Sequence, residues 1–176
     1  MISYSEGRRM NTRKVAGTGL LLAVALVLSF IESRIPVFIA VPGVKAGLAN
    51  IAVVFALYRL GWREALVISV FKVLLSALFF GSFVSLAYSA AGAVLAFAVM
   101  ALVKKTKLFG VTAVSVSGAV AHNLGQIGMA CLIMENTALA YYLPVLIISG
   151  VAAGIVIGLV SALLVRRIDP EDHGSD

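Results

Sequence analysis

Charged residues are scarce in this chain, and most of its length is apolar. Of its 176 residues, 12% are charged and 61% are hydrophobic, and the mean hydropathy is +1.07. Soluble domains carry about 25% charged residues, so this composition excludes an ordinary soluble protein. The apolar runs are mostly about 17 to 25 residues long and lack the alternation of barrel strands. They predict a membrane protein built from spanning helices, with the lipid bilayer around it.

Aspartate is absent from the apolar part of the chain. All three aspartates lie in the C-terminal tail: Asp169, Asp172 and Asp176. An aspartate motif that holds magnesium and a diphosphate is therefore missing, and so is the ATP-binding pattern G-x-x-x-x-G-K-[ST]. We expect a protein that is not an enzyme and does not hydrolyse ATP by itself.

Histidine and cysteine are also rare. His122 and His173 are far apart and lack cysteine or carboxylate companions at metal-ligand spacing, so neither a metal site nor a cofactor is predicted. The single cysteine, Cys131, excludes an internal disulfide and is best explained as a small buried hydrophobe.

Basic residues outnumber acidic ones, which gives a net charge of +6 and a pI of about 9.8. A basic surface can bind nucleic acid, but basic residues that flank spanning helices on one side of a membrane are the usual topology signal. No nucleic-acid binding is therefore expected.

Six apolar segments predict an all-α fold, a polytopic six-helix transmembrane bundle. A basic cytoplasmic tail covers residues 1–14, the membrane domain 15–168, and a polar tail 169–176. The predicted helices cover approximately residues 15–31, 45–60, 63–80, 83–103, 109–134 and 141–165.

The basic residues predict the orientation of this bundle in the cell (cytoplasmic) membrane. Six spans and a basic N-terminal tail place both termini in the cytoplasm, an N-in/C-in topology. All but three of the 14 Lys and Arg residues then lie on that side. The exceptions are Arg34, Lys45 and Lys72, so the topology itself indicates them as functional residues.

A charged segment broken by proline and glycine separates the first two predicted helices. From Glu32 to Asn50 it reads ESRIPVFIAVPGVKAGLAN. Pro36 and Pro42 prevent a regular helix, and we expect a broken lid above a pocket that opens to the outside. Near Lys45, free backbone amides at a helix start suit an anion. Alternatively, Lys45 extends to the membrane interface or pairs with Glu32.

The polar residues around this segment leave several interpretations open. Glu32 and Arg34 are two residues apart and do not share a helical face, so at least one lies outside regular helix or meets another partner. The two residues either take part in gating the pocket or form an ion pair at the membrane interface. The Asn50 amide either faces the same cavity as Lys45 or forms a hydrogen bond between helices. Lys72 lies in the middle of a predicted span, where an ammonium group is costly and usually faces a partner or a wet cavity; the alternative is that its side chain extends to the membrane interface.

The fifth predicted helix carries a polar cluster. His122 and Gln126 are four residues apart and share a face, and Asn123 lies next to them. Such a cluster indicates either ligand contacts or hydrogen bonds between helices. Tyr88 lies beside a mildly polar face of the fourth helix. The candidate substrate-binding residues are Glu32, Arg34, Lys45, Asn50, Lys72, Tyr88, His122, Asn123 and Gln126.

Small residues recur on two predicted helices. Gly150, Gly154 and Gly158 are spaced every four residues in the sixth helix, which is typical of close helix packing. Gly19 and Ala23 form a weaker version on the first helix. These positions are candidates for helix packing or partner docking.

Three segments of the sequence are distinctive: ESRIPVFIAVPGVKAGLANIAVVFALYRLG at 32–61, AVAHNLGQIG at 119–128 and YYLPVLIISGVAAGIVIG at 141–158. They resemble a known membrane family, labelled heptaprenyl diphosphate synthase component I and also called the Gx transporter family. That family is similar to the substrate-binding subunits of energy-coupling-factor transporters. The resemblance implies a six-helix protein that captures a scarce solute at the outer face and docks on a coupling transmembrane subunit driven by two ATPases.

Three functions are compatible with these observations. The first is a substrate-binding transporter subunit for a small anionic or amphipathic metabolite. The second is a non-catalytic membrane accessory of a prenyl diphosphate synthase or of a quinone-related pathway. The third is a structural membrane protein without a small ligand.

Overall fold

The structure, a computed structural model, describes residues 12–34 and 47–168. Within these ranges the regular secondary structure is all helical, without a strand. Its six α-helices are α1 (Thr12–Arg34), α2 (Asn50–Arg59), α3 (Trp62–Phe80), α4 (Phe83–Lys105), α5 (Val111–Ile133) and α6 (Leu143–Arg167). A 3₁₀ helix, Thr137–Tyr142, precedes α6.

Two helix boundaries near the predicted lid differ from expectation. Helix α1 continues to Arg34, so Glu32 and Arg34 both lie in regular helix. Helix α2 begins at Asn50 instead of near residue 45, because residues 47–49 form a turn. Residues 35–46, which form the middle of the predicted lid segment and include Lys45, lie outside the described residues.

Local sequence signals explain several helix starts. The Ser82 hydroxyl accepts a hydrogen bond from the Ser85 amide at 3.2 Å, the usual N-cap interaction. Helix α4 begins directly after Ser82, at Phe83. Gly61 has a φ of +123°, which only glycine adopts readily, and this turn separates α2 from α3. Pro144 is the second residue of α6, where its missing amide hydrogen costs no helical hydrogen bond.

Within residues 12–34 and 47–168, four segments are long and apolar enough to cross a membrane. They are Lys14–Arg34, Phe83–Lys105, Val111–Ile133 and Thr137–Arg167. Helix α2 has ten residues, about 15 Å of helix, which is shorter than the roughly 30 Å hydrocarbon core. Helix α3 has 19 residues and includes three charged ones: Arg63, Glu64 and Lys72. Six spans with both termini in the cytoplasm therefore remain a prediction.

Helix α2 lies in the centre of the bundle. Half of its residues are buried, and it contacts α1, α3, α5 and α6. Leu57 on α2 is 1% exposed, and Ile68 on α3 and Leu146 on α6 are similarly enclosed. The extensive contacts of α5 with α4 and α6 complete the other side of the bundle.

Successive helices alternate in direction between two ends of the bundle. At one end, the Phe30 and Phe80 rings lie 5.2 Å apart, where α1 and α3 finish. At the other end, Arg59 donates hydrogen bonds to the carbonyls of Val165 and Ile168. The Lys104 ammonium donates to a carbonyl of α2 at this same end. We call these two ends the aromatic end and the basic end.

The outer surface of the bundle is apolar. Leu20, Leu78, Val94, Leu132 and Ile148 lie on five different helices, and each is at least 67% exposed. Soluble monomers rarely expose such continuous apolar surface, whereas lipid is a suitable environment for it. The chain is therefore a membrane protein.

Candidate functional site

A small polar pocket lies towards the aromatic end of the bundle, where α1 ends and α2 begins. Its volume is about 40 Å³, enough for about three water molecules. The residues that line it are Ser29, Glu32, Gly47, Ala49, Asn50, Lys72, Val73, Ser76, Ala77, Ser89 and His122. Five helices, α1 to α5, and the turn before α2 therefore contribute to one site.

Glu32 connects α1 to the turn before α2. The residue is 5% exposed, and its Oε1 accepts a hydrogen bond from the backbone amide of Gly47. Gly47 has a φ of +80°, so a side chain at this position would strain the backbone. This contact fixes one wall of the pocket.

Lys72 brings a positive charge into the same pocket from α3. The residue is 7% exposed, and its Nζ donates a hydrogen bond to Oδ1 of Asn50 at 2.6 Å. Glu32 and Lys72 are the charged residues in the pocket lining within the described part of the chain. Because burial of one unpaired charge is costly, opposite charges in one pocket make each easier to accommodate.

His122 reaches the pocket from α5, and a glycine on α4 makes room for it. A Cβ atom at Gly92 would lie 2.9 Å from Nδ1 of His122 and 2.9 Å from Cγ of Gln126. Any larger residue at position 92 would displace these two side chains. The close approach of α4 to α5 thus positions His122 at the pocket.

The neighbouring Asn123 has a different role. Its Nδ2 donates a hydrogen bond to the carbonyl oxygen of Leu146 at 2.6 Å, which connects α5 to α6. Gln126 is buried against α4, and neither it nor Tyr88 is in the pocket lining. Tyr88 is 5% exposed, and within the described ranges its hydroxyl has no hydrogen-bond partner.

Arg34 lies at the exposed end of α1, away from the pocket lining. Its guanidinium is positioned over the Phe30 ring, 5.0 Å from the ring centre. Of the nine candidate binding residues, the structure thus brings four together at the pocket: Glu32, Asn50, Lys72 and His122.

The glycines of α6 lie against the backbone of α5. A Cβ atom at Gly154 would lie 2.6 Å from Cα of Val116, and one at Gly158 would lie 2.6 Å from Cα of Thr112. At Gly150 it would lie 2.9 Å from Nδ2 of Asn123. By contrast, Gly19 and Ala23 on α1 are exposed, and no atom lies within 4 Å of a Cβ built at Gly19.

A family model described as heptaprenyl diphosphate synthase component I matches residues 21–164. The chain belongs to this family. No curated protein and no solved structure matches it. The matched region includes all the residues that line the polar pocket. The family's name describes one component of a synthase, and so implies a partner in a complex.

The pocket of this component I chain also contains a residue that sequence reasoning missed. Ser76 is 8% exposed, and its hydroxyl has no hydrogen-bond partner among the described residues. Ser69, Lys72 and Ser76 are all buried on α3, and their spacing of three and four residues indicates one helical face. That polar stripe in an otherwise apolar helix was the signal available in the sequence.

Proposed function

We infer that this chain is the substrate-binding subunit of a membrane transporter of the energy-coupling-factor type. It captures a small anionic or amphipathic metabolite from the outer face, and a coupling subunit with ATPases supplies the energy. The observation that supports this function best is the polar pocket. Five helix-borne side chains, Glu32, Asn50, Lys72, Ser76 and His122, meet inside an apolar bundle, and ionisable residues in such surroundings usually mark a substrate path.

The position of the pocket supports an outward opening. It lies towards the aromatic end, whereas Arg59 and Lys104 lie at the basic end. Basic residues accumulate on the cytoplasmic side of membrane proteins. An outward-facing pocket in the cell membrane is consistent with this arrangement.

Native mass spectrometry of protein purified gently from its own membranes tests the proposed function. A retained small molecule of constant mass would support a binding subunit and identify the substrate class. If the protein carries only bulk lipid, and co-purifies with neither a coupling subunit nor ATPases, the proposal is wrong.

Replacement of Lys72 provides the first residue-level prediction. Lys72→Met removes the charge but keeps a long side chain, so we expect the affinity for the retained molecule to fall by about tenfold or more, as when a hydrogen bond to a charged group is lost. Ser76→Ala removes one hydroxyl and should weaken binding less. Lys105→Met, at an exposed lysine of α4, is the matched control. If the three variants and the unchanged protein bind the retained molecule with equal affinity, the polar pocket is not its binding site.

The family name favours a second candidate function, a non-catalytic membrane accessory of a prenyl diphosphate synthase. The two candidates differ in their partners. Co-purification with a soluble prenyl synthase, without ATPase subunits, would favour the accessory role. Co-purification with ATPase subunits would favour transport.

A further inference from the structure

Two apolar grooves lie along the seam between α3 and α4, next to the polar pocket. The first has a volume of about 410 Å³ and is lined by residues that include Leu78 and Phe83. The second, about 380 Å³, is lined by residues that include Val70 and Val94. Leu74 lines both grooves, so the two form one continuous surface, which we call the α3–α4 groove.

This groove adjoins the polar pocket through two residues of α3. Val73 lines the pocket and the second groove, and Ala77 lines the pocket and the first groove. Both side chains are short and apolar. The polar pocket inside the bundle and the α3–α4 groove on its surface therefore share these two residues of α3.

The pocket alone is small for a metabolite. Its 40 Å³ compares with about 300 Å³ or more in typical small-molecule sites. The Glu32 carboxylate in its lining accepts a hydrogen bond from the Gly47 amide. The other polar lining residues, Lys72, Asn50, His122 and the serines, all carry N–H or O–H donors. The hydroxyl of Ser76 has no partner in the described part of the chain. Such a site suits the oxygen-rich end of a larger molecule.

We propose that the ligand is a single-chain amphiphile whose carboxylate or phosphate head enters the polar pocket while its apolar chain lies in the α3–α4 groove. This inference rests on the proposed function and specifies its substrate class. An apolar chain gains little by leaving lipid for an apolar groove, because lipid tails are equally apolar. Selectivity over bulk lipid therefore comes from the head group, and the groove accommodates the chain that the head group brings.

Photocrosslinking of the full chain in phosphatidylcholine nanodiscs tests the proposal. The probe is hexadecyl phosphate with a photoreactive diazirine in its chain, and the comparison probe carries a trimethylammonium head on the same chain. We expect the phosphate probe to label the residues of α3 and α4 that line the groove, with a yield about tenfold above that of the cationic probe. Unlabelled hexadecyl phosphate should compete, and additional phosphatidylcholine should not.

Two groove variants and one control separate the groove from general lipid contact. Ala93→Phe and the milder Ala90→Leu place bulk in the groove, so labelling by the phosphate probe should fall several-fold in each. Ala152→Phe adds the same bulk at an exposed position of α6 and should leave labelling unchanged. Equal labelling by both probes, or competition by phosphatidylcholine, would overturn the inference, because ordinary lipid would then fill the groove.

Native mass spectrometry and photocrosslinking of the same protein together separate this inference from the proposed function. If native mass spectrometry finds a retained molecule that Lys72→Met removes, but the phosphate probe does not label the groove, then the pocket binds a different class of ligand. The amphiphile inference would then be wrong and the binding function would stand. If there is neither a retained molecule nor labelling of the groove, both are wrong.

Discussion

Adjacent residues on α5 have different roles in this protein. His122 lines the polar pocket, whereas Asn123 connects α5 to α6 through the carbonyl of Leu146. Successive positions of a helix point about 100° apart, so one residue can face the pocket while the next faces a neighbouring helix. The polar residues that are neighbours in the sequence of α5 therefore belong to two different sites in the structure.

This division gives a second prediction, at position 123. Asn123→Leu removes the hydrogen bond to Leu146 but keeps a similar volume, so it should lower the free energy of unfolding by about 0.6 to 2 kcal/mol. Thermal unfolding in detergent measures this change. Ligand affinity should change less than in His122→Ala. If Asn123→Leu abolishes binding while stability is unchanged, Asn123 belongs to the binding site instead.

At the scale of whole helices, the contact between α5 and α6 depends on the absence of side chains. Gly154 and Gly158 approach backbone atoms of α5, and backbone cannot rotate away as a side chain can. Because helix association in lipid depends on packing instead of hydrophobic burial, we expect this contact to contribute strongly to the stability of the bundle.

A third prediction follows from that packing. Gly154→Val should lower the free energy of unfolding by about 1 to 3 kcal/mol through overpacking. Gly128→Ala on α5 is the matched control, because nothing lies within 4 Å of a Cβ atom there. It should be neutral or stabilising by up to about 1 kcal/mol, since alanine favours a helix more than glycine. Equal loss of stability in both variants would contradict the packing argument.

Charged residues also hold the helices together at the basic end. Arg59 donates to carbonyls at the C-terminal end of α6, and Lys104 donates to the carbonyl of Leu57. The last carbonyls of a helix have no partner within it, and cations there also complement the helix dipole. Residues that the topology rule explains by orientation therefore also have a structural role.

For the whole molecule, the proposed orientation gives the fourth prediction. Leu108 and Tyr141 lie beyond opposite ends of α5 and are 82% and 87% exposed. In a Cys131→Ser background, Leu108→Cys should resist a membrane-impermeant maleimide in intact cells and react only after the membrane is opened. Tyr141→Cys should react in intact cells. The reverse pattern would place both termini outside and contradict the N-in/C-in topology.

Much of the fold could be predicted from the sequence because lipid restricts the choices of the backbone. An apolar chain in a bilayer must satisfy its backbone hydrogen bonds internally, so long apolar runs between basic clusters predict helices and their approximate ends. Helices α3 to α6 lie within one or two residues of their predicted limits. The larger differences are at both ends of α1, each three residues longer than predicted, and at the start of α2. The end of α1 and the start of α2 lie beside the segment that contains Pro36 and Pro42, where periodicity gives little guidance.

The candidate site was predictable only in part. Glu32, Asn50, Lys72 and His122 were indicated by charge or polarity in apolar surroundings, a property of each residue in its own helix. Their proximity, the absence of Arg34 and Asn123 from the pocket, and the place of Ser76 depend on how α1, α2, α3 and α5 pack. Composition and hydropathy are properties of each segment of the sequence by itself. They therefore determined that the protein is apolar, helical and suited to a membrane. Which faces meet is decided by contacts between residues distant in the chain, and only the tertiary structure contains that information.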